Sequence, residues 1–141
     1  MNSYINQFSI IHRQSFVQLE QQLKQLSITS GQFMYLMLIC EEEGKSQDYI
    51  RQTLMLDKGS AARTLKQLED DGYITREVCA GDKRQYRLYP TQKARQLYPK
   101  IRQITDGWER QMLSHLSGVE KQILENILTK VVRNVTETEH I

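Results

Sequence analysis

Between Asp57 and Gly72 the chain reads Asp57-Lys58-Gly59-Ser60-Ala61-Ala62-Arg63-Thr64-Leu65-Lys66-Gln67-Leu68-Glu69-Asp70-Asp71-Gly72, and no other stretch narrows the possible folds as far. At about 100° per residue, Ala61, Leu65 and Leu68 fall on one side of a helix and Gly59, Arg63, Lys66 and Asp70 on the other, with Ser60, Thr64 and Gln67 flanking. One side docks and the other offers polar side chains. Asp57 is placed to cap the first turn, and Gly72 supplies the left-handed residue that ends the helix. The small residues Gly59, Ser60 and Ala61 at its start allow close approach to another surface. Such a helix is built to read something.

The surrounding charge says what. The net charge is only +2, but its distribution is uneven. From Lys45 to Arg102 there are 13 Lys and Arg against 7 Asp and Glu, whereas the remainder carries 6 against 10. A basic middle between acidic ends is the footprint of a segment that meets phosphates while the termini do something else. At 141 residues the length fits one domain. No apolar run approaches the roughly 18 residues of a membrane span, and the N-terminus has no basic segment followed by an apolar one, so a cytoplasmic location is expected. Cys40 and Cys79 lack CxxC spacing, which gives neither a zinc ribbon nor a disulfide framework any support.

Along the chain, Ile5, Phe8, Ile11, Phe16, Leu19, Leu23 and Leu26 predict one long amphipathic helix over residues 3 to 26. A second helix is expected near Ser30, with Thr29 and Gln32 as a capping box; the run Glu41-Glu42-Glu43 at its end should face solvent at a mild cost to the helix dipole. Ser46 caps a third helix, about Gln47 to Leu54, and Leu54-Met55-Leu56 turns into the opening stretch, a helix-turn-helix. Tyr73 to Cys79 and Gln85 to Tyr89 are β-prone runs around Ala80-Gly81-Asp82-Lys83-Arg84, a hairpin whose tip carries Lys83 and Arg84. Thr91 caps a long helix with Ala94, Leu97, Ile101, Ile104, Trp108 and Met112 in its seam, which Pro99 should kink rather than end. Ser117 and Glu120 form a capping box that opens a last helix with a wide apolar stripe from Ile123 to Val135. The expected fold is mainly α with one small β-hairpin. The terminal helices carry more apolar surface than the central module can cover, which predicts a homodimer.

At these residues the chain resembles the MarR family of winged-helix transcriptional regulators. The resemblance rests on Asp57-Lys58-Gly59-Ser60 leading to Arg63, on Leu68-Glu69-Asp70-Asp71-Gly72-Tyr73-Ile74, and on Asp82-Lys83-Arg84 followed by Leu88 and Thr91. It covers Ser46 to Ile101 well, and the family's Leu-Thr pair is here split by Tyr89 and Pro90. It implies one domain over residues 1–141: a winged helix-turn-helix lobe at about 30–90, and dimerisation helices at about 3–26 and 91–137. The implied activity is sequence-specific binding of double-stranded DNA, as a ligand-responsive repressor on a pseudo-palindromic operator. Lys58, Ser60, Ala61, Arg63, Thr64 and Lys66 on the reading helix, with Asp82, Lys83 and Arg84 on the wing, are the expected DNA-binding residues. Arg63 suits a bidentate contact to guanine and Lys58 and Lys66 suit phosphates, while Asp70 should restrain Arg63 and Lys66.

The same resemblance implies a small anionic or phenolic effector held between the terminal helices and the lobe, where His12, Arg13 and Tyr35 are candidates. Their plainer role is surface or interface. A redox switch would use Cys40 or Cys79, but no cysteine stands near the N-terminus, where the family's peroxide sensors place theirs. His12, His115 and His140 lack metal-site spacing, and no cofactor is expected. No Gly-rich phosphate loop, HExxH or GxSxG is present, so an enzyme is not expected. The rival is a winged helix used for protein contact without specific DNA binding.

Overall fold

The apolar spacings of the sequence are realised as helices whose caps and stop residues are mostly the ones expected. The computed structural model describes residues 3–137, except for the side chains of Asp82, Lys83 and Arg84 within a strand; expectations on those side chains and on His140 lie outside the described residues. The elements are α1 (Tyr4–Leu23) with a 3-10 turn (Lys24–Leu26), α2 (Phe33–Glu41), β1 (Lys45–Ser46), α3 (Gln47–Thr53), α4 (Lys58–Asp70), β2 (Ile74–Cys79), β3 (Asp82–Pro90), α5 (Gln92–Met112) and α6 (Gly118–Glu137). The strands form an antiparallel sheet in the order β1-β3-β2. The chain divides into two compact units, one up to Trp108 and the other from Glu109.

In the first unit, α2, α3, α4 and the sheet close over one core. Leu36, Ile39, Ile50, Leu65, Leu68, Leu88, Ala94 and Ile101 are fully buried there, and Leu19, Leu23, Ile28, Phe33 and Tyr35 extend it. Ser46 accepts from the Tyr49 amide at 3.0 Å to start α3. Thr91 caps α5, its Oγ1 accepting from Ala94 and donating to the Gly72 carbonyl at 2.7 Å, so the end of β3 and the stop of α4 are tied at one residue. The indole of Trp108 donates to Ser15 Oγ at 2.9 Å, joining α5 to α1. Along α1, Tyr4, Ile5, Phe8 and Ile11 remain exposed.

In the second unit, Ser117 and Glu120 form the expected reciprocal box, Glu120 accepting from the Ser117 amide at 2.9 Å and Ser117 from the Glu120 amide at 3.1 Å. Most of the apolar stripe of α6 is exposed, with Val119, Ile123, Ile127, Val132 and Val135 at half exposure or more and Leu124 and Val131 half-buried.

Four expectations are corrected. The box at Thr29 is one-sided: Gln32 Oε1 accepts from the Thr29 amide, while a turn occupies residues 30–32, so α2 starts only at Phe33. The hairpin turn closes at Ala80-Gly81, where Gly81 takes φ +97°, and a bulge at Val78/Cys79 pairs Cys79 with Asp82. Asp82, Lys83 and Arg84 therefore begin β3 rather than form the tip, because a two-residue loop with a left-handed glycine suffices. Lys45–Ser46 adds a short third strand paired to Leu88 and Arg87.

The fourth concerns Glu41-Glu42-Glu43: Glu41 and Glu43 do face solvent as expected, but each of the three carboxylates also has a partner. Glu41 accepts from the Tyr98 hydroxyl at 2.5 Å and lies 3.7 Å from Arg102; Glu42 accepts from Tyr49 at 3.0 Å; Glu43 accepts from Arg95 at 2.7 Å. Two of these carboxylates latch α2 to α5 and the third latches it to α3. Partners on α5 offset the unfavourable helix-dipole position. The hydrogen bond to Glu41 and burial push the Tyr98 hydroxyl up to about 12.

Candidate nucleic-acid interface

Helix α4 is built as its sequence pattern requires. Asp57, in extended backbone, accepts from the Ser60 amide at 3.0 Å, and Ala61, Leu65 and Leu68 are buried at 1% exposure or less. Gly72 sits at φ +81° just beyond the helix, where a Cβ would meet nothing; its conformation, not crowding, calls for glycine. Lys58, Arg63, Lys66 and Gln67 are exposed, and Ser60 and Thr64 are partly so. Ala61 is the exception among the expected contact residues: its methyl lies in the core, which removes it from any groove-facing set.

The N-terminal end of α4 holds Arg63 close. Its Nη2 lies 3.4 Å from Ser60 Oγ, and a Cβ at Gly59 would stand 3.3 Å from Nη1, so the missing side chain leaves room for the guanidinium. The Ser60 amide and hydroxyl, and then the Arg63 charge, hold the Asp57 carboxyl below its usual range. A group with a lowered folded pKa stabilises the fold above its ordinary value and loses that effect as pH falls through the lowered one. The melting temperature should therefore drop more for the wild type than for Asp57→Asn as pH falls below about 4; parallel curves would rule out this role for the cap.

Asp70 restrains only Lys66, at 3.5 Å, because Ser60 holds Arg63 at the other end of the helix. The sequence reading missed Arg76, which lies in β2 within reach of Gln47, Glu69 and Tyr86. It also missed Arg87, whose Nη1 donates to the Gly44 carbonyl at 3.1 Å. No local motif marks either one, since their partners lie far along the chain.

The effector candidates are not assembled into one pocket by any described contact. The His12 ring is exposed and packs on Phe16 at 4.5 Å, Phe16 meets Phe33 edge-on at 6.4 Å, and Arg13 is exposed. Tyr35 is instead 3% exposed in the core, its hydroxyl raised by burial and by Asp57. An open groove of about 610 Å³ runs past Val17, Gln21, Lys24, Ser27 and Thr29 without touching any of the three. Burial, then Glu43 and Glu41 against Arg95, pushes the Cys40 thiol up to about 11, a direction that disfavours the thiolate.

Residues 26–85 match the family model described as MarR family. The chain is 29% identical to the uncharacterized HTH-type transcriptional regulator YybA of Bacillus subtilis (strain 168) over 135 residues, covering 96% of this chain and 90% of that protein. The crystal structure of the transcriptional regulator SlyA superposes with a TM-score of 0.92 at 32% identity, covering 96% of each chain. A MarR family regulator from Listeria monocytogenes, crystallised with a 26mer DNA, superposes with a TM-score of 0.92 at 30% identity, over 97% of this chain and 91% of that one. With its helix-turn-helix and the first part of its hairpin inside the matched segment and such likeness along nearly its whole length, this chain belongs to the MarR family of transcriptional regulators, DNA-binding regulators and not enzymes.

Proposed function

We propose that this protein is a cytoplasmic, ligand-responsive repressor that binds a pseudo-palindromic operator as a homodimer, with α4 in the major groove and the β2–β3 hairpin at the flanking minor groove. The observation that carries the reading is the division of α4: its apolar face is buried, while Arg63 and Lys66 stand on the opposite, exposed face and Lys58 is exposed in the capped first turn. Arg63 suits the guanine edge, Ser60 and Thr64 suit base edges or phosphate, and Lys58 and Lys66 suit phosphate. Arg84 is assigned to the minor groove, with Lys83 as its neighbour and Asp82 to orient it or brace the turn. The exposed stripe of α6 and the apolar N-terminal part of α1 support dimerisation through the chain ends, because monomers rarely leave such surface bare. Half-sites about one helical turn apart follow from a two-fold dimer.

For the effector, the exposed His12 with Phe16, and Arg13 on the next position of α1, support a small anionic or phenolic compound at that face; Tyr35, being buried, is left out. Selection of bound genomic fragments followed by sequencing would give the operator. On that operator, log affinity should fall steeply with log salt, by about 0.9 per neutralised phosphate. Failure to retain any fragment at low salt would favour the protein-contact alternative.

A further inference from the structure

Arg76 is an expensive residue for its position. It sits in β2 with its side chain only 17% exposed, at the meeting of three other elements. Its Nη1 donates to Gln47 Oε1, in the first turn of α3, at 3.3 Å. Its Nε lies 3.5 Å from Glu69 Oε2, in the last turns of α4. Its guanidinium carbon is 5.7 Å from the centre of the Tyr86 ring on β3, beside a polar cleft of about 160 Å³. The Nε is shielded from solvent and, although at ion-pair distance from Glu69, makes no aligned hydrogen bond. A largely buried charge with incomplete pairing is seldom a net source of stability, and an apolar side chain of similar length would pack there more cheaply. What the guanidinium provides is a rigid, planar fork that touches α3, α4 and β3 from one point on β2.

A two-stranded ribbon is marginal alone; here Ile74 and Leu88 seat its base in the core, the two residues of β1 extend it, and Arg76 ties the strand beside that base to α3 and α4. We infer that Arg76 is a positioning residue: it fixes the attitude of the β2–β3 hairpin to α4, so that the two reach adjacent grooves as one rigid body. This rests on the reading of α4 and the hairpin as the two DNA contacts. With the strut in place the hairpin is ordered before DNA arrives. Without it, the hairpin must be ordered on binding and its contact yields less affinity.

The test combines hydrogen exchange on the free protein with a mutant cycle on the selected operator. In Arg76→Met, the amides of β2 and β3 should exchange faster while those of α4 keep their protection. Operator affinity should fall roughly tenfold. The penalty for Arg84→Ala should shrink several-fold in the Arg76→Met background, and the penalty for Arg63→Ala should stay the same. A role in general stability would instead scale both penalties alike. Arg76→Lys, which keeps charge but loses the fork and flat face, should behave as Arg76→Met does, and Glu69→Gln, a half-exposed change, should move the same readouts less if Arg76→Met does not fold. Unchanged hairpin exchange, or equal Arg84→Ala penalties in both backgrounds, overturns the strut. If Arg84→Ala costs nothing in the wild-type background, the hairpin is no DNA contact; that failure shows before Arg76 is altered and removes the coupled role with it.

Discussion

Replacing Arg63 by alanine is expected to weaken operator binding by about 1–3 kcal/mol and to relax the preference at one base pair in each half-site. Two features of the free protein motivate the size. The guanidinium is already held at the N-terminal end of α4 by Ser60, and Gly59 leaves it room, so little side-chain freedom remains to be lost on binding. Its planar fork also matches the two acceptors of a guanine edge, which a lysine ammonium does not, so Arg63→Lys should recover charge but not base preference. Lys66→Ala provides the contrast: affinity should fall for all sequences alike and the salt slope should decrease by about one. Equilibrium titration of both variants against operators changed one base pair at a time distinguishes the two. Normal binding by Arg63→Ala would mean that α4 is turned the wrong way in this account.

The second large effect concerns the docking side of the same helix. Leu65 is fully buried in the core shared by α4, the sheet and α2. Truncating it to alanine removes buried methyl groups and leaves a cavity that rigid neighbours fill only partly, at a cost of about 2–5 kcal/mol. Against a total stability of typically 5–15 kcal/mol this is a large fraction. Denaturant unfolding at a fixed protein concentration should show a lower midpoint for Leu65→Ala and an unchanged one for Arg63→Ala. Equal midpoints for the two variants would contradict the division of α4 into a packing face and a reading face.

That division was legible in the sequence because helical periodicity and caps are local. Asp57, Ser46, Thr91 and the Ser117–Glu120 box each act within about one turn of themselves, and each caps as its residue type predicts. What escaped depends on partners far along the chain. Glu43 meets Arg95 and Glu41 meets Tyr98, 52 and 57 positions away, and Arg76 meets Gln47 29 positions away. No spacing rule links such residues before the fold exists. Tyr35 illustrates the opposite error: a polar-tipped aromatic reads as a ligand contact, yet its ring fills the core. The position of the hairpin turn escaped for a third reason: Ala80-Gly81 and Gly81-Asp82 both offered turn chemistry, and the bulge that selects the register forms only when β3 pairs.

The glutamates at the end of α2 bear on how salt titrations of this protein are to be interpreted. Arg95 and Arg102, with which Glu43 and Glu41 pair, are about half exposed, so dissolved ions screen these pairs much as they screen a phosphate backbone. Electrolyte therefore acts on the joint between α2 and α5 at the same time as it competes for DNA. If slackening of that joint shifts α4, affinity would fall without any phosphate contact being lost, an effect that Glu43→Gln should mimic at low salt. The ion stoichiometry deduced from a binding isotherm then belongs partly to the regulator's own frame, and it sets an upper bound on the number of phosphates the protein grips.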